Sequence, residues 1–222
     1  ETKHNEQNVL CEPRIELLNI NCMVYLKTCI DNQFDLAIVD PPYGIGIHKM
    51  NFTRSLKAGL AKRKDYSKTG DWDKEIPKPE YWKELMRVSK NQIIWGGNFF
   101  PLPSSRGWIF WDKRTDPKYN TDFADGELAW TSFDKPVRCF RWLWNGMLQQ
   151  NMKEKPKALY EWLLMKYAKK GDKIIDTHLG SGSIAMACWN MKYDLVGMDV
   201  NKVYVEAAKK RLNSYRKQLK LF

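Results

Sequence analysis

Between Lys173 and Asp199 the chain reads strand, glycine turn, helix, strand and acid, and this unit restricts the possible folds more than any other stretch. Lys173 to Asp176 is a short apolar run suited to a buried strand, and Asp176-Thr177-His178-Leu179-Gly180-Ser181-Gly182-Ser183 follows at once. Glycines let a backbone turn sharply and approach a ligand where a β-carbon would clash. A helix over Ser183 to Met191 and a strand over Tyr193 to Asp199 complete the unit. Asp199 ends that strand seventeen residues after Gly182, where an acid accepts hydrogen bonds from ribose hydroxyls. A nicotinamide dinucleotide is the competing ligand, but the third glycine of its fingerprint is missing.

The rest of the chain repeats the same alternation of apolar runs and amphipathic stretches, the pattern of an α/β domain with a largely parallel sheet. Strands are expected over Ile15–Asn19, Phe34–Val39, Gln92–Trp95, Trp108–Trp111 and Glu127–Thr131. Helices are expected over Met23–Ile30, Lys78–Val88, Lys157–Lys169 and from about Lys202 onward, the last with Tyr204, Ala208, Leu212, Tyr215 and Leu219 along one stripe. Phe34–Val39 is almost wholly apolar, as a central strand covered on both faces must be. No linker divides the chain, so residues 15–222 read as one domain behind a polar arm, 1–14.

At the end of that central strand stands Asp40-Pro41-Pro42-Tyr43. Ligand chemistry in open α/β sheets gathers at the carboxyl ends of strands. Two prolines fix the backbone and remove two amide donors, leaving carbonyl oxygens free to accept. An amino group on a nucleic-acid base carries two hydrogens, and the Asp40 carboxylate with the Pro41 carbonyl supplies two acceptors. Tyr43 offers a flat face for stacking, worth ~1–3 kcal/mol per base. A base inside a duplex must be swung out to reach such a pocket. The plainer alternative is a Pro-Pro turn with a helix-capping Asp.

Charge points the same way. Thirty-seven Lys and Arg against 26 Asp and Glu give a net +11, a field that favours a polyanionic partner. Seven bases lie between Lys49 and Lys68 (Lys49, Arg54, Lys57, Lys62, Arg63, Lys64, Lys68) against the single acid Asp65. We read this loop, 47–75, as contacting DNA phosphates, against the alternative of a solvated charged loop. Arg138-Cys139-Phe140-Arg141-Trp142-Leu143-Trp144 interleaves arginine with aromatics; groove contacts by Arg138 and Arg141 and a half-buried strand explain it equally well. Gly96-Gly97-Asn98 and Trp111-Asp112-Lys113 each end a strand and are candidate site edges. The five cysteines form no C-x-x-C pair and three scattered histidines add no metal signature, which argues against a disulfide framework or a metal site. No apolar run approaches the roughly 20 residues of a membrane span, and the first residues do not resemble a signal peptide. The cysteine usage suits a reducing, cytoplasmic setting.

With these motifs in view, the chain resembles the beta class of bacterial and phage DNA amino-methyltransferases, in which the order of motifs is circularly permuted. Asp40 precedes Asp176 by 136 residues, so the catalytic element comes before the cofactor loop, as in that class. The resemblance implies a Rossmann-like methyltransferase fold, with a mostly parallel seven-stranded sheet and one reversed edge strand. It implies S-adenosylmethionine as cofactor, no metal, double-stranded DNA as partner, and transfer of methyl to N6 of adenine. N4 of cytosine is the alternative, since cytosine enzymes more often carry Ser where Asp40 stands.

The resemblance makes Asp40, Pro41, Pro42 and Tyr43 catalytic, and gives Asp176, His178, Gly180, Ser181, Gly182, Ser183 and Asp199 to the cofactor. Lys155-Pro156 resembles the Lys-Pro of the family's "HPTQKP" segment near the methionine end, and Asn21-Cys22 sits where an Asp usually contacts the cofactor's adenine. His178 departs from a usual Phe, Asn21 from the usual Asp, and Asn151 to Glu154 from the "HPTQ" half. The target-recognition segment, 133–152, is short. That implies a short or relaxed target, or a homodimer or accessory subunit that supplies specificity. A non-catalytic DNA-binding subunit of a complex and an RNA methyltransferase are the remaining alternatives, the latter opposed by motif order.

Overall fold

The structure, a computed structural model, describes residues 12–45, 75–113, 124–142 and 155–219. Among them eight strands form one sheet in the order β1-β8-β7-β2-β3-β5-β4-β6. The strands are β1 (Ile15–Asn19), β2 (Phe34–Val39), β3 (Ser89–Trp95), β4 (Trp108–Asp112), β5 (Gly126–Thr131), β6 (Arg138–Arg141), β7 (Lys173–Asp176) and β8 (Asp194–Asp199). The helices are α1 (Cys22–Leu26), α2 (Pro79–Val88), α3 (Lys157–Tyr167), α4 (Ser183–Met191) and α5 (Lys202–Leu219).

Alternation along the central strands decides which helices cover which face. Leu36 and Ile38 of β2, Ile93 and Trp95 of β3 and Ile174 of β7 pack with α3, α4 and α5. Ala37, Val39, Ile94 and Ile175 point the other way, against Leu26 of α1 and Tyr81, Trp82, Leu85 and Val88 of α2. Both faces are therefore apolar, which is why these strands read as continuous hydrophobic runs rather than alternating ones.

Two expectations about the sheet are corrected. Eight strands are present among the described residues rather than seven, because Arg138–Arg141 pairs in parallel with β4, Ile109 opposite Arg138. The reversed strand is interior: β5 runs antiparallel to both β3 and β4, with Ile94 opposite Trp130 and Trp108 opposite Trp130. The chain passes from β3 to β4, parallel to it, and β5 then turns back from β4 and inserts between the two. Helix α1 is also shorter than expected, because Asn21 caps its start and the chain leaves the helix at Lys27.

The order brings distant sequence together. β2 pairs in parallel with β7, Leu36 opposite Ile174 and Ala37 opposite Ile175. The Asp40 tetrapeptide and the Asp176–Ser183 loop therefore leave neighbouring strands at the same edge of the sheet. Because β5 is reversed, its first residues, including Glu127, reach that edge too. No helix among the described residues is long and apolar enough to cross a membrane. The arm 1–14 is described only from Glu12, where Arg14 donates its amide to Asp194 Oδ1 at 2.8 Å.

Candidate active site

Asp40 follows the last residue of β2 and is half-buried, with Pro41 buried behind it. Tyr43 turns back and donates its hydroxyl to Asp40 Oδ1 at 2.6 Å. The other carboxylate oxygen, Oδ2, accepts from Lys155 Nζ at 2.5 Å. Each oxygen keeps a second lone pair, so the carboxylate can still accept from a target amino group. Burial, followed by the Asp40 and Glu127 charges, raises the Tyr43 hydroxyl well above its ordinary value, so it stays a donor.

Tyr43 is held as a flat surface. Its ring stacks on Phe99 with centroids 5.2 Å apart and planes 16° apart, and Phe100 meets it edge-on at 6.1 Å. Gly96, with φ of +69°, lies against the ring; a β-carbon there would stand 2.5 Å from Tyr43 Cδ1 and 2.8 Å from Cζ. The Gly96-Gly97 turn after β3 thus borders the site.

Lys155, expected beside the methionine end of a cofactor, is 6% exposed. Besides Asp40 it meets Glu127 Oε2 at 2.9 Å, and its ammonium stands 5.0 Å from the centre of the Trp95 ring. Glu127 pairs in turn with Lys113, the residue after β4. Burial works against the charge of Glu127, yet Lys155 and Lys113 outweigh it and bring its carboxyl down to about 2. Removing one member of such a buried pair costs about 3–5 kcal/mol, because the other is left without its counter-charge.

The second half of the site is the turn after β7. Asp176 is 2% exposed and accepts from the His178 amide at 3.0 Å. Burial pushes its carboxyl up to about 8, and the nearby Asp40 and Asp199 charges add to the rise. Burial brings His178 down to about 4, so its imidazole is neutral at physiological pH. A chain of hydroxyls supports that ring: Tyr81 Oη meets Thr177 Oγ1 at 2.6 Å, and Thr177 Oγ1 meets His178 Nδ1 at 2.9 Å.

Asp199, at the end of β8, accepts from the Gly180 amide at Oδ2 (3.0 Å) and from the Asn201 amide at Oδ1 (2.8 Å). It braces the glycine turn and retains lone pairs for ligand hydroxyls. Gly180 has φ of +50°, and a β-carbon there would meet the His178 carbonyl oxygen at 3.9 Å, whereas one on Gly182 would stand 2.6 Å from that of Ala208 on α5. Gly180 thus suits close ligand approach, and Gly182 serves helix packing. Ser181 and Ser183 lie within hydroxyl reach of each other at 3.3 Å, and Arg211 of α5 donates to the Ser181 carbonyl at 3.2 Å.

A pocket of about 410 Å³ opens at this edge between Asn21, Cys22, Pro42, Tyr81 and His178. Asn21 Oδ1 already accepts from the Met23 amide at 2.8 Å, capping α1. Pro42 of the Asp40 tetrapeptide and His178 of the turn after β7 both line the pocket, so the two motifs border one concave space of the kind that takes a small ligand. Among the described residues no group of three or more His, Cys, Asp or Glu is placed to hold a metal ion.

The DNA methylase family of N6/N4 methyltransferases matches residues 142–210. The type II methyltransferase M2.DpnII of Streptococcus pneumoniae is 30% identical over 247 residues, which span 89% of this chain and 89% of that protein. This chain belongs to the N6/N4 DNA methylase family. The type II methyltransferase M.HpaI of Haemophilus parainfluenzae is 26% identical over 249 residues, 89% of this chain and 74% of its own length. Among solved structures, the complex of M1.HpyAVI with SAM aligns with a TM-score of 0.57 at 18% identity, over 89% of this chain and all of that one. PvuII DNA methyltransferase, cytosine-N4-specific, aligns with a TM-score of 0.52 at 10% identity, over 92% of each chain. These two share the fold of this family member.

The remaining expected contacts divide. Lys49, Arg54, Lys57, Lys62, Arg63 and Lys64 lie outside the described residues, as does 143–152 of the recognition segment. Arg138 and Arg141 lie on β6, exposed, with Phe140 turned inward at 8% exposure. The half-buried strand is therefore real, and Arg141 Nε binds the buried Asp112 at 3.0 Å. Sequence reasoning missed Glu127, Tyr81, Thr177 and Phe99. Only Glu127 left a signal, a lone acid at the start of an apolar strand.

Proposed function

We propose that this chain transfers a methyl group from S-adenosylmethionine to N6 of adenine in double-stranded DNA. The reading is carried by one juxtaposition: Asp40-Pro41-Pro42-Tyr43 and the Asp176–Ser183 turn leave paired parallel strands, β2 and β7, at one sheet edge. A base acceptor set and a nucleoside cradle side by side suit a transfer between the two ligands they would hold. Membership of the DNA methylase family supports the same reaction class.

When bound, S-adenosylmethionine supplies an electrophilic methyl on a sulfonium. The Gly180 turn, Asp199, and the pocket walls Asn21, Cys22 and His178 would hold it. Asp40 accepts one hydrogen of the flipped base's amino group and the Pro41 carbonyl accepts the other. That pair of bonds draws the amino nitrogen towards tetrahedral geometry and frees its lone pair from the ring. Tyr43, backed by Phe99, supports the base. Holding two reactants in line supplies most of the acceleration; effective molarities of about 10⁵–10⁸ M are attainable in this way.

Adenine is preferred over cytosine on Asp40, since cytosine-N4 relatives more often carry Ser there. Nucleoside analysis of DNA methylated by the purified chain tests the base directly. N6-methyladenine supports the reading, and N4-methylcytosine keeps the mechanism but overturns the base.

A further inference from the structure

Three charged side chains from separate elements, Asp40, Glu127 and Lys155, converge beside Tyr43. Lys155 Nζ meets Asp40 Oδ2 at 2.5 Å, Glu127 Oε2 at 2.9 Å and Tyr43 Oη at 3.5 Å. An ammonium has three donors, and three oxygens stand around this one. Burial disfavours its charge, yet the Asp40 and Glu127 carboxylates outweigh burial and raise the lysine above its ordinary value. Glu127 is steadied from its other oxygen by Lys113.

We infer that Glu127 is a positioning residue for methyl transfer, acting through Lys155 to hold the Asp40 carboxylate ready for the target amino group. The inference rests on the functional reading above. A lysine stem has four rotatable bonds, so one contact with Asp40 does not fix its head. Glu127 gives it a second anchor and draws part of its donor capacity away from Asp40. Without Glu127 the ammonium would turn further onto the carboxylate and compete with the base amino group for its lone pairs. A proton relay through the same atoms is opposed by the charges: Lys155 is held cationic, and Glu127, at about 2, is a poor proton acceptor. The network therefore transmits position rather than protons.

The test compares wild type, Glu127→Gln, Lys155→Met and the double variant on duplex DNA, with rates normalised to the fraction of protein that binds cofactor. Glu127→Gln is expected to lower kcat by about 10- to 100-fold, the scale of misplacing a reacting group by up to an ångström. Cofactor Kd should stay within about threefold, since Glu127 itself does not line the pocket of Asn21, Cys22 and His178. Lys155→Met and the double variant should share one kcat, because residues acting as a unit are not additive. Should Glu127→Gln fail to fold, that last pair still decides, as removing both charges avoids a lone buried ion. An unchanged kcat in Glu127→Gln, or a further tenfold loss in the double variant, overturns the inference alone. A wild-type chain that binds cofactor and DNA without methylating overturns the functional reading, and this inference with it.

Discussion

Gly96 lies against the ring of Tyr43 so closely that a side chain on one excludes the present position of the other. The turn after β3 is thereby coupled to the aromatic surface after β2. Gly96 also carries φ of +69°, a region where a non-glycine residue costs about 1–3 kcal/mol. Gly96→Ala is expected to displace Tyr43, lowering kcat by at least about tenfold and leaving cofactor Kd nearly unchanged. Steady-state kinetics with a cofactor titration check this; wild-type kcat in Gly96→Ala would remove the turn from the site.

Asp176 makes stability depend on pH. Its folded value of about 8 lies above its ordinary 3.8, so the folded chain keeps a proton that the unfolded chain has released. Its contribution is full below 3.8 and is lost as pH rises through about 8. His178 runs the other way: its folded value of about 4 lies below 6.5, so its contribution is present above 6.5 and lost as pH falls towards 4. Between pH 6.5 and 8 the two separate, and stability should fall with rising pH by at most about 1.4 kcal/mol per unit from this group. Asp176→Asn should flatten that slope. Denaturant unfolding at several pH values reads it, and an equal slope in the variant would mean that Asp176 ionises normally.

Arg138 and Arg141 should part company. Arg141 pairs with Asp112, which is 2% exposed, so Arg141→Ala is expected to lower stability. Arg138, exposed three residues earlier on β6, should leave stability within about 0.5 kcal/mol when changed to Ala. If β6 meets DNA, that variant also weakens binding and lowers the salt slope by about one. Unfolding and salt-dependent DNA titrations distinguish the two roles, and an unaltered salt slope in Arg138→Ala would detach β6 from the DNA.

How far the sequence could be read depended on the range of the interactions. Local signals were strong enough: the apolar run Phe34–Val39, the prolines after it, and the glycine turn between β7 and α4 all lie where expected. Even the juxtaposition of the two motifs followed from their both ending strands. The interior place of β5 was not legible, because it depends on which partners Ala129 and Trp130 find across the sheet. For the same reason Glu127 was read only as part of a strand. Lys155 was assigned to the methionine end by its neighbour Pro156, and its bond to Asp40, 115 residues away, was not legible. Gly182, expected in the cofactor loop, also has a packing reason that was not legible: a β-carbon there would stand 2.6 Å from that of Ala208 on α5.

The most direct test of the account is incorporation of labelled methyl from S-adenosylmethionine into unmethylated duplex DNA by the wild-type chain and by Asp40→Ala. The account predicts N6-methyladenine from the wild type, and at least about a 100-fold lower rate from the variant with cofactor binding retained. Equal incorporation by the two proteins would contradict it, because the acceptor on which the chemistry is built would then be dispensable.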